Sequence, residues 1–214
     1  LLRARRERGR IRECHGDLHL GNMALLGERI RVFDCLEFSP ALRWIDPISD
    51  LAFLVMDLQE RSHGDLALRL LNRWLDTGGD HGALPLLPWY LAYRALVRAK
   101  VTALRLQQPN LAPAAVEPLE AELESYLNRA RLAMAPPRCA LVITHGISGS
   151  GKSHAARQLR GWGWIHLRSD VERLRLHGRW GCRSAEGPAQ DDRSPYDPAV
   201  TERLYGEVLL QAAE

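Results

Sequence analysis

Gly146-Ile147-Ser148-Gly149-Ser150-Gly151-Lys152-Ser153 is the stretch on which the reading of this chain turns. It satisfies the spacing GxxxxGK[ST] at every fixed position. An apolar run at 140–145 leads in, and a helix-forming run at 152–160 leads out. In that context the glycines let successive backbone N–H groups turn inward around a polyphosphate, and the helix N-terminus adds partial positive charge. Lys152 is one of only two lysines among 29 basic residues, so abundance does not explain its place. The spacing puts Lys152 on the β- and γ-phosphates of ATP and the Ser153 hydroxyl on Mg²⁺. The pattern strand, Gly-rich loop, helix, strand, helix over 140–177 predicts an α/β fold with the start of a parallel sheet.

Downstream lies His166-Leu167-Arg168-Ser169-Asp170-Val171-Glu172-Arg173. A carboxylate at the end of a second strand sits on the edge where such sheets bind ligands. The loop together with Asp170 and Arg173 resembles the P-loop kinases of small hydroxyl substrates, polynucleotide 5′-kinases among them. The resemblance implies that Asp170 accepts the proton of an attacking hydroxyl and that Arg173 neutralises phosphate charge. It admits a nucleic-acid 5′-hydroxyl as acceptor at this site. The plainer alternative is that Asp170 only caps the following helix. No apolar run precedes Asp191-Asp192, so no second acidic strand end of the Walker B kind is recognisable.

Upstream, His15-Gly16-Asp17-Leu18-His19-Leu20-Gly21-Asn22 has the spacing HxDxxxxN. Phosphoryl transfer needs a carboxylate to orient and deprotonate a hydroxyl, and oxygen ligands to hold Mg²⁺. Asp17 can supply the first; Asn22 and Asp34, the latter ending the apolar run 30–34, can supply the second. With the helix that opens at Asp46 and carries Asp50, this octapeptide resembles the aminoglycoside/choline kinase-type phosphotransferases over roughly 1–134. That resemblance makes Asp17 the catalytic base, Asn22 and Asp34 metal ligands, His15 a brace of the loop and Asp50 its support from beneath. His19 has no role to carry over and reads as a packing residue. The order of the two modules resembles bacterial bifunctional aminoglycoside phosphotransferase/ATP-binding proteins. No lysine precedes Lys100, so the N-terminal lobe that such kinases need is not represented, and the chain reads as a fragment.

Periodicity organises the rest. Residues 1–8 read as a helix stopped at Gly9, and Gly27-Glu28 as a hairpin turn between 23–26 and 29–33. From 46 to 134 the apolar spacing is helical. Ala135-Pro136-Pro137-Arg138 begins a linker at 135–139, dividing a mostly helical, kinase C-lobe-like domain (1–134) from a P-loop kinase domain (140–214). The run 178–195 reads as a loop.

Of the 214 residues 46% are apolar and 26% charged, which excludes a disordered or disulfide-stapled chain. The net charge of +3 and the arginines at 3, 5, 6, 8, 10 and 12 read as solvated surface rather than a nucleic-acid face. Arg94, Arg98 and Lys100 read the same way, Glu37, Asp57 and Glu60 as solvated carboxylates, and Trp44, Trp74 and Trp89 as core. The four cysteines form no CxxC pair and read as free thiols, and no leader or membrane segment is recognisable. The expectation is a soluble, cytoplasmic, bifunctional phosphotransferase that uses ATP and Mg²⁺ on small-molecule hydroxyls. The alternative is a P-loop ATPase or regulatory nucleotide-binding protein whose first module is a degenerate scaffold.

Overall fold

The computed structural model describes residues 1–136, 140–147, 149–159, 163–180 and 194–209. Two compact units emerge, one of residues 1–67 and 83–137, the other of 68–82 and 138–214. The break near 135–139 is therefore only one of the crossings. The chain also passes into the second unit within helix α4 (Gly64–Gly78) and returns at 82/83.

In the first unit, helix α1 (Leu2–Glu7) is followed by strand β1 (Arg12–Glu13), the hairpin β2 (Met23–Leu26) and β3 (Arg29–Val32), helix α2 (Pro40–Arg43) and strand β4 (Trp44–Ile45). β1 pairs antiparallel with β4, and β2 with β3 in the register Met23 to Val32 and Leu26 to Arg29. Gly27, at φ 61°, makes the tight turn that the sequence predicts.

Helices α3 (Pro47–Glu60), α5 (Leu87–Leu106) and α6 (Val116–Ala133) hold the core. Along α5 the small residues Ala92, Ala95 and Ala99 share one face and admit Phe53 and Met56 of α3 and Tyr126 and Ala130 of α6. Phe53 and Met56 are essentially inaccessible to solvent. Asp46 caps α3 by accepting from Ile48 N, and Pro47 occupies the first turn, where a missing N–H costs nothing.

Arg5 corrects the reading of the N-terminal arginines as solvated. It is buried and forms a two-pronged pair with Asp46, Nε to Oδ2 at 2.5 Å and Nη2 to Oδ1 at 2.9 Å. The guanidinium fork matches the carboxylate, and the pair ties α1 to the N-cap of α3. The tryptophans also depart from expectation: Trp44 and Trp89 are exposed, with Trp89 stacked on Tyr93 at the surface of α5.

In the second unit, helices α7 (Lys152–Leu159) and α8 (Ser169–Leu176) form where expected and α9 (Pro198–Arg203) is a further helix, but the expected parallel sheet does not form among the described residues. Among the described residues, 140–147 and 164–167 make no strand pairing. A parallel strand exists only through its neighbour's hydrogen bonds, and among the described residues no such neighbour is present. Segment 164–166 is instead held by one side chain of α4. Asn72 Nδ2 donates to Trp164 O (3.1 Å), and its Oδ1 accepts from His166 N (2.8 Å), as a paired strand would. Arg175 of α8 donates to the carbonyls of Leu75, Asp76 and Thr77, satisfying the last turn of α4 with positive charge at its negative end. The loop reading at 178–195 lies mostly outside the described residues. No helix among the described residues is long and apolar enough to cross a membrane.

Candidate functional site

Loop 15–22 is built by hydrogen bonds from beneath. The buried Asp50 carboxylate, one turn into α3, accepts from His15 N (2.8 Å) and Gly16 N (3.1 Å). Asp57, two turns further along the same helix, accepts from Leu20 N (2.8 Å). Asp57 is buried in this role, which corrects its reading as a solvated carboxylate. Gly16 sits at φ 85° with Leu42 O within 2.7 Å of where a Cβ would stand, so only glycine fits the bend.

Arg94 supplies the third support, and the sequence reading missed it. Placed by α5 into the interior, it donates to Gly16 O (2.9 Å), Ser49 O (3.1 Å) and Ser49 Oγ (3.2 Å), and its guanidinium lies 4.9 Å from the Phe53 ring. Burial draws its pKa down, while the neighbouring Asp50 charge pulls it back up. Helical periodicity offers a signal of sorts: Arg94 falls between Ala92 and Ala95 on the buried side of α5.

These supports bring Asp17, Asn22, His15 and His19 together. His15 Nε2 donates to Phe33 O (2.8 Å) while Nδ1 accepts from Asp17 N (3.3 Å), so the ring braces the loop against the end of β3. The buried Asn22 donates through Nδ2 to Asp17 O (3.0 Å) and Asp17 Oδ2 (3.1 Å), which leaves its Oδ1 for another partner. The contact with His19 holds the Asp17 carboxyl below its ordinary value. Burial opposes that, and Asn22 and Arg94 reinforce it. Asp17 is thus an ionised, half-exposed carboxylate near neutral pH, the state a proton acceptor needs.

Asp34 stands just past β3, exposed, at φ 61°, a left-handed conformation that Asp adopts more readily than most residues. It lines an open cleft with His15, Phe33, Cys35, Glu37 and Phe38. Asn22 Oδ1 and the Asp34 carboxylate are hard oxygen donors suited to Mg²⁺. Among the described residues no three His, Cys, Asp or Glu side chains cluster as a metal site, so a metal here would take an amide, phosphate or water oxygen as well.

In the phosphate loop, Gly146, Gly149 and Gly151 all adopt positive φ (150°, 80° and 83°). Helix α7 starts at Lys152, with His154 N and Ala155 N both donating to Gly151 O. Lys152 Nζ folds back to donate to Gly146 O and Ile147 O, each at 2.6 Å. Ser150 Oγ also lies 3.5 Å from the same ammonium. Ser150 and Ser153 are exposed, and Ser148 lies outside the described residues.

Asp170 and Arg173 do not converge. Asp170 is exposed in the first turn of α8, whose N-cap is Arg168, so Asp170 does not cap it. Arg173 is buried, donating to Pro195 O (2.5 Å) and Thr201 Oγ1 (3.0 Å) with its guanidinium 5.1 Å from the Tyr196 ring. It anchors the segment before α9. Glu172 is buried between His81 Nε2 (3.3 Å) and Arg175 Nε (2.9 Å). Burial pushes its carboxyl up, but hydrogen bonds from His81 and Arg175 outweigh that and hold it below its ordinary value.

Comparison with known proteins agrees on the C-terminal part. The AAA domain family matches residues 141–214. Uncharacterized proteins of Mycobacterium tuberculosis (strains H37Rv and CDC 1551) and Mycobacterium bovis are each 38% identical to this chain over 216 aligned residues. The alignment covers 99% of this chain and 41% of each relative, so the chain spans well under half the length of the curated relatives it matches. No solved structure matches. Residues 141–214 therefore match a P-loop nucleotide-binding domain.

Proposed function

We propose that this chain is part of an ATP- and Mg²⁺-dependent phosphotransferase acting on hydroxyl groups of small molecules, with one site at loop 15–22 and a second at the phosphate loop. The observation that carries the reading is the loop 15–22 assembly. Asp50, Asp57 and Arg94 fix the backbone, and Asp17 projects from it as an ionised carboxylate next to Asn22. A nucleotide switch has no use for such a base; a kinase requires one.

Bound MgATP supplies the γ-phosphoryl group, with the metal offsetting its charge. Asp17 orients the acceptor hydroxyl and takes its proton, a role usually worth about 10²–10⁴-fold. Asn22 and Asp34 would hold the metal. At the second site the backbone of 146–151 cradles phosphates, Lys152 contacts them, and the Ser153 hydroxyl would ligate Mg²⁺. Asp170, exposed beside that segment, is the candidate base there, with a small alcohol or a nucleic-acid 5′-hydroxyl as acceptor.

The second reading, a P-loop ATPase with a degenerate first module, is favoured by Arg173. Its guanidinium is engaged by Pro195 and Thr201, so the charge expected to offset phosphate is committed elsewhere. The test is phosphoryl transfer from ATP to a panel of small alcohols, aminoglycosides and 5′-hydroxyl oligonucleotides by the intact chain. Transfer to any of them supports the phosphotransferase. Phosphate release unaffected by every acceptor supports the ATPase.

A further inference from the structure

Beyond its contact with Asp17, His19 has no role in the reading above, yet the loop is shaped around it. Its Nδ1 accepts from Gly21 N (3.1 Å), so the ring proton resides on Nε2. Its face lies 5.2 Å from the Phe53 ring, tilted by 51°. At Gly21 a Cβ would come within 2.7 Å of His19 Cε1 and 2.9 Å of Nδ1, so the glycine is what lets the imidazole lie over this turn. Held by these two contacts, Nε2 stands 3.4 Å from Asp17 Oδ2.

Asn22 Nδ2 reaches the same oxygen at 3.1 Å. Both donors therefore gather on Oδ2, and among the described residues neither reaches Oδ1. We propose that His19 is a positioning residue for Asp17, its Nε2–H and the Asn22 amide together pinning Oδ2 so that Oδ1 faces the acceptor hydroxyl. The inference rests on Asp17 being the base. An unpinned carboxylate would rotate about χ2, a broad and weakly restrained torsion, and spend much of its time with neither oxygen aimed at the acceptor. The arrangement acts on the transferring hydroxyl and not on nucleotide affinity, so its loss falls on kcat.

The test uses the full chain with Lys152→Ala in the background to silence the second site, MgATP as donor and water as the acceptor, read as phosphate release. His19→Ala is expected to lower kcat about tenfold, with KM for ATP changed less than twofold. His19→Gln, whose side-chain N–H reaches about the same place as Nε2, is expected to recover most of the rate. Equal rates for His19→Ala and the parent, or equal loss in the Gln and Ala variants, would overturn the proposal. Asp17→Asn separates the two claims: release that survives it refutes the base assignment itself, whatever His19 does. A long-range ¹H–¹⁵N spectrum of the histidine rings gives a readout independent of turnover. His19 is expected as the Nε2–H tautomer, and a proton on Nδ1 would contradict the proposal even if no phosphate is released.

Discussion

The carboxylate of Asp50 lies directly under the backbone of His15, accepting its N–H at 2.8 Å from inside α3. Through this bond a core helix dictates where Asp17, two residues on, can point. Asp50→Asn replaces an oxygen that accepts with an NH₂ that can only donate toward His15 N or Gly16 N, leaving one of them unsatisfied in a buried place. The expected cost is about 1–3 kcal/mol of stability. A fall in turnover larger than that of destabilised core variants is expected with it. Urea unfolding alongside phosphate release checks both; an unchanged rate would show that the loop holds its shape without Asp50.

The Arg5–Asp46 pair is a second inward-facing charge. Arg5→Met keeps the apolar stem but strands Asp46, which is about as buried as any residue in the first unit. Removing one partner of a buried pair costs about 3–5 kcal/mol. A drop below 1 kcal/mol in urea unfolding would show that Asp46 relaxes to water.

Much of the first unit was legible from the pattern of residues, and the exceptions share one cause. The 23–32 hairpin follows from its Gly27 turn, and α3, α5 and α6 follow from three-and-four apolar spacing. Arg5 and Arg94 read as solvent-facing charges, because arginine on a helix ordinarily is, and Arg173 as a partner for phosphate. Each is buried by a partner distant in sequence: Asp46, the Gly16 carbonyl with Ser49, and Pro195 with Thr201. Side-chain chemistry shows that a guanidinium can be buried this way; only the tertiary arrangement supplies the acceptors. The same holds for 140–145, where an apolar run reads as a strand although no neighbour pairs with it among the described residues. Residues 68–82 are a further case, since nothing local indicates that the end of α4 serves the second unit.

That last arrangement has a direct consequence. Asn72→Leu preserves volume but removes both hydrogen bonds to segment 164–166. Hydrogen exchange at His166 N–H is expected to accelerate at least tenfold, an opening cost lower by about 1.4 kcal/mol or more. Unchanged protection would mean that Asn72 does not hold the segment. Residues 138–214 alone are also expected to fold poorly, because the carbonyls that Arg175 satisfies and the amide that holds 164–166 both lie in 68–82.

Glu172 makes the second unit sensitive to acid. Its folded-state pKa is lowered, so its contribution is fully present above the ordinary glutamate value and is lost as pH falls through the lowered one. Glu172→Gln should flatten the acid limb of stability in this unit below about pH 4.5. Thermal unfolding between pH 3 and pH 6 measures it, and identical acid limbs in the two proteins would refute the assignment.

The central claim is that two separate sites move phosphoryl groups. Transfer from radiolabelled ATP to the acceptor panel, compared among the parent chain, Asp17→Asn and Lys152→Ala, tests it most directly. The account predicts that each substitution abolishes transfer to a different acceptor and spares the other. If Lys152→Ala removes all transfer and Asp17→Asn removes none, loop 15–22 is a scaffold and the account of the first site is wrong.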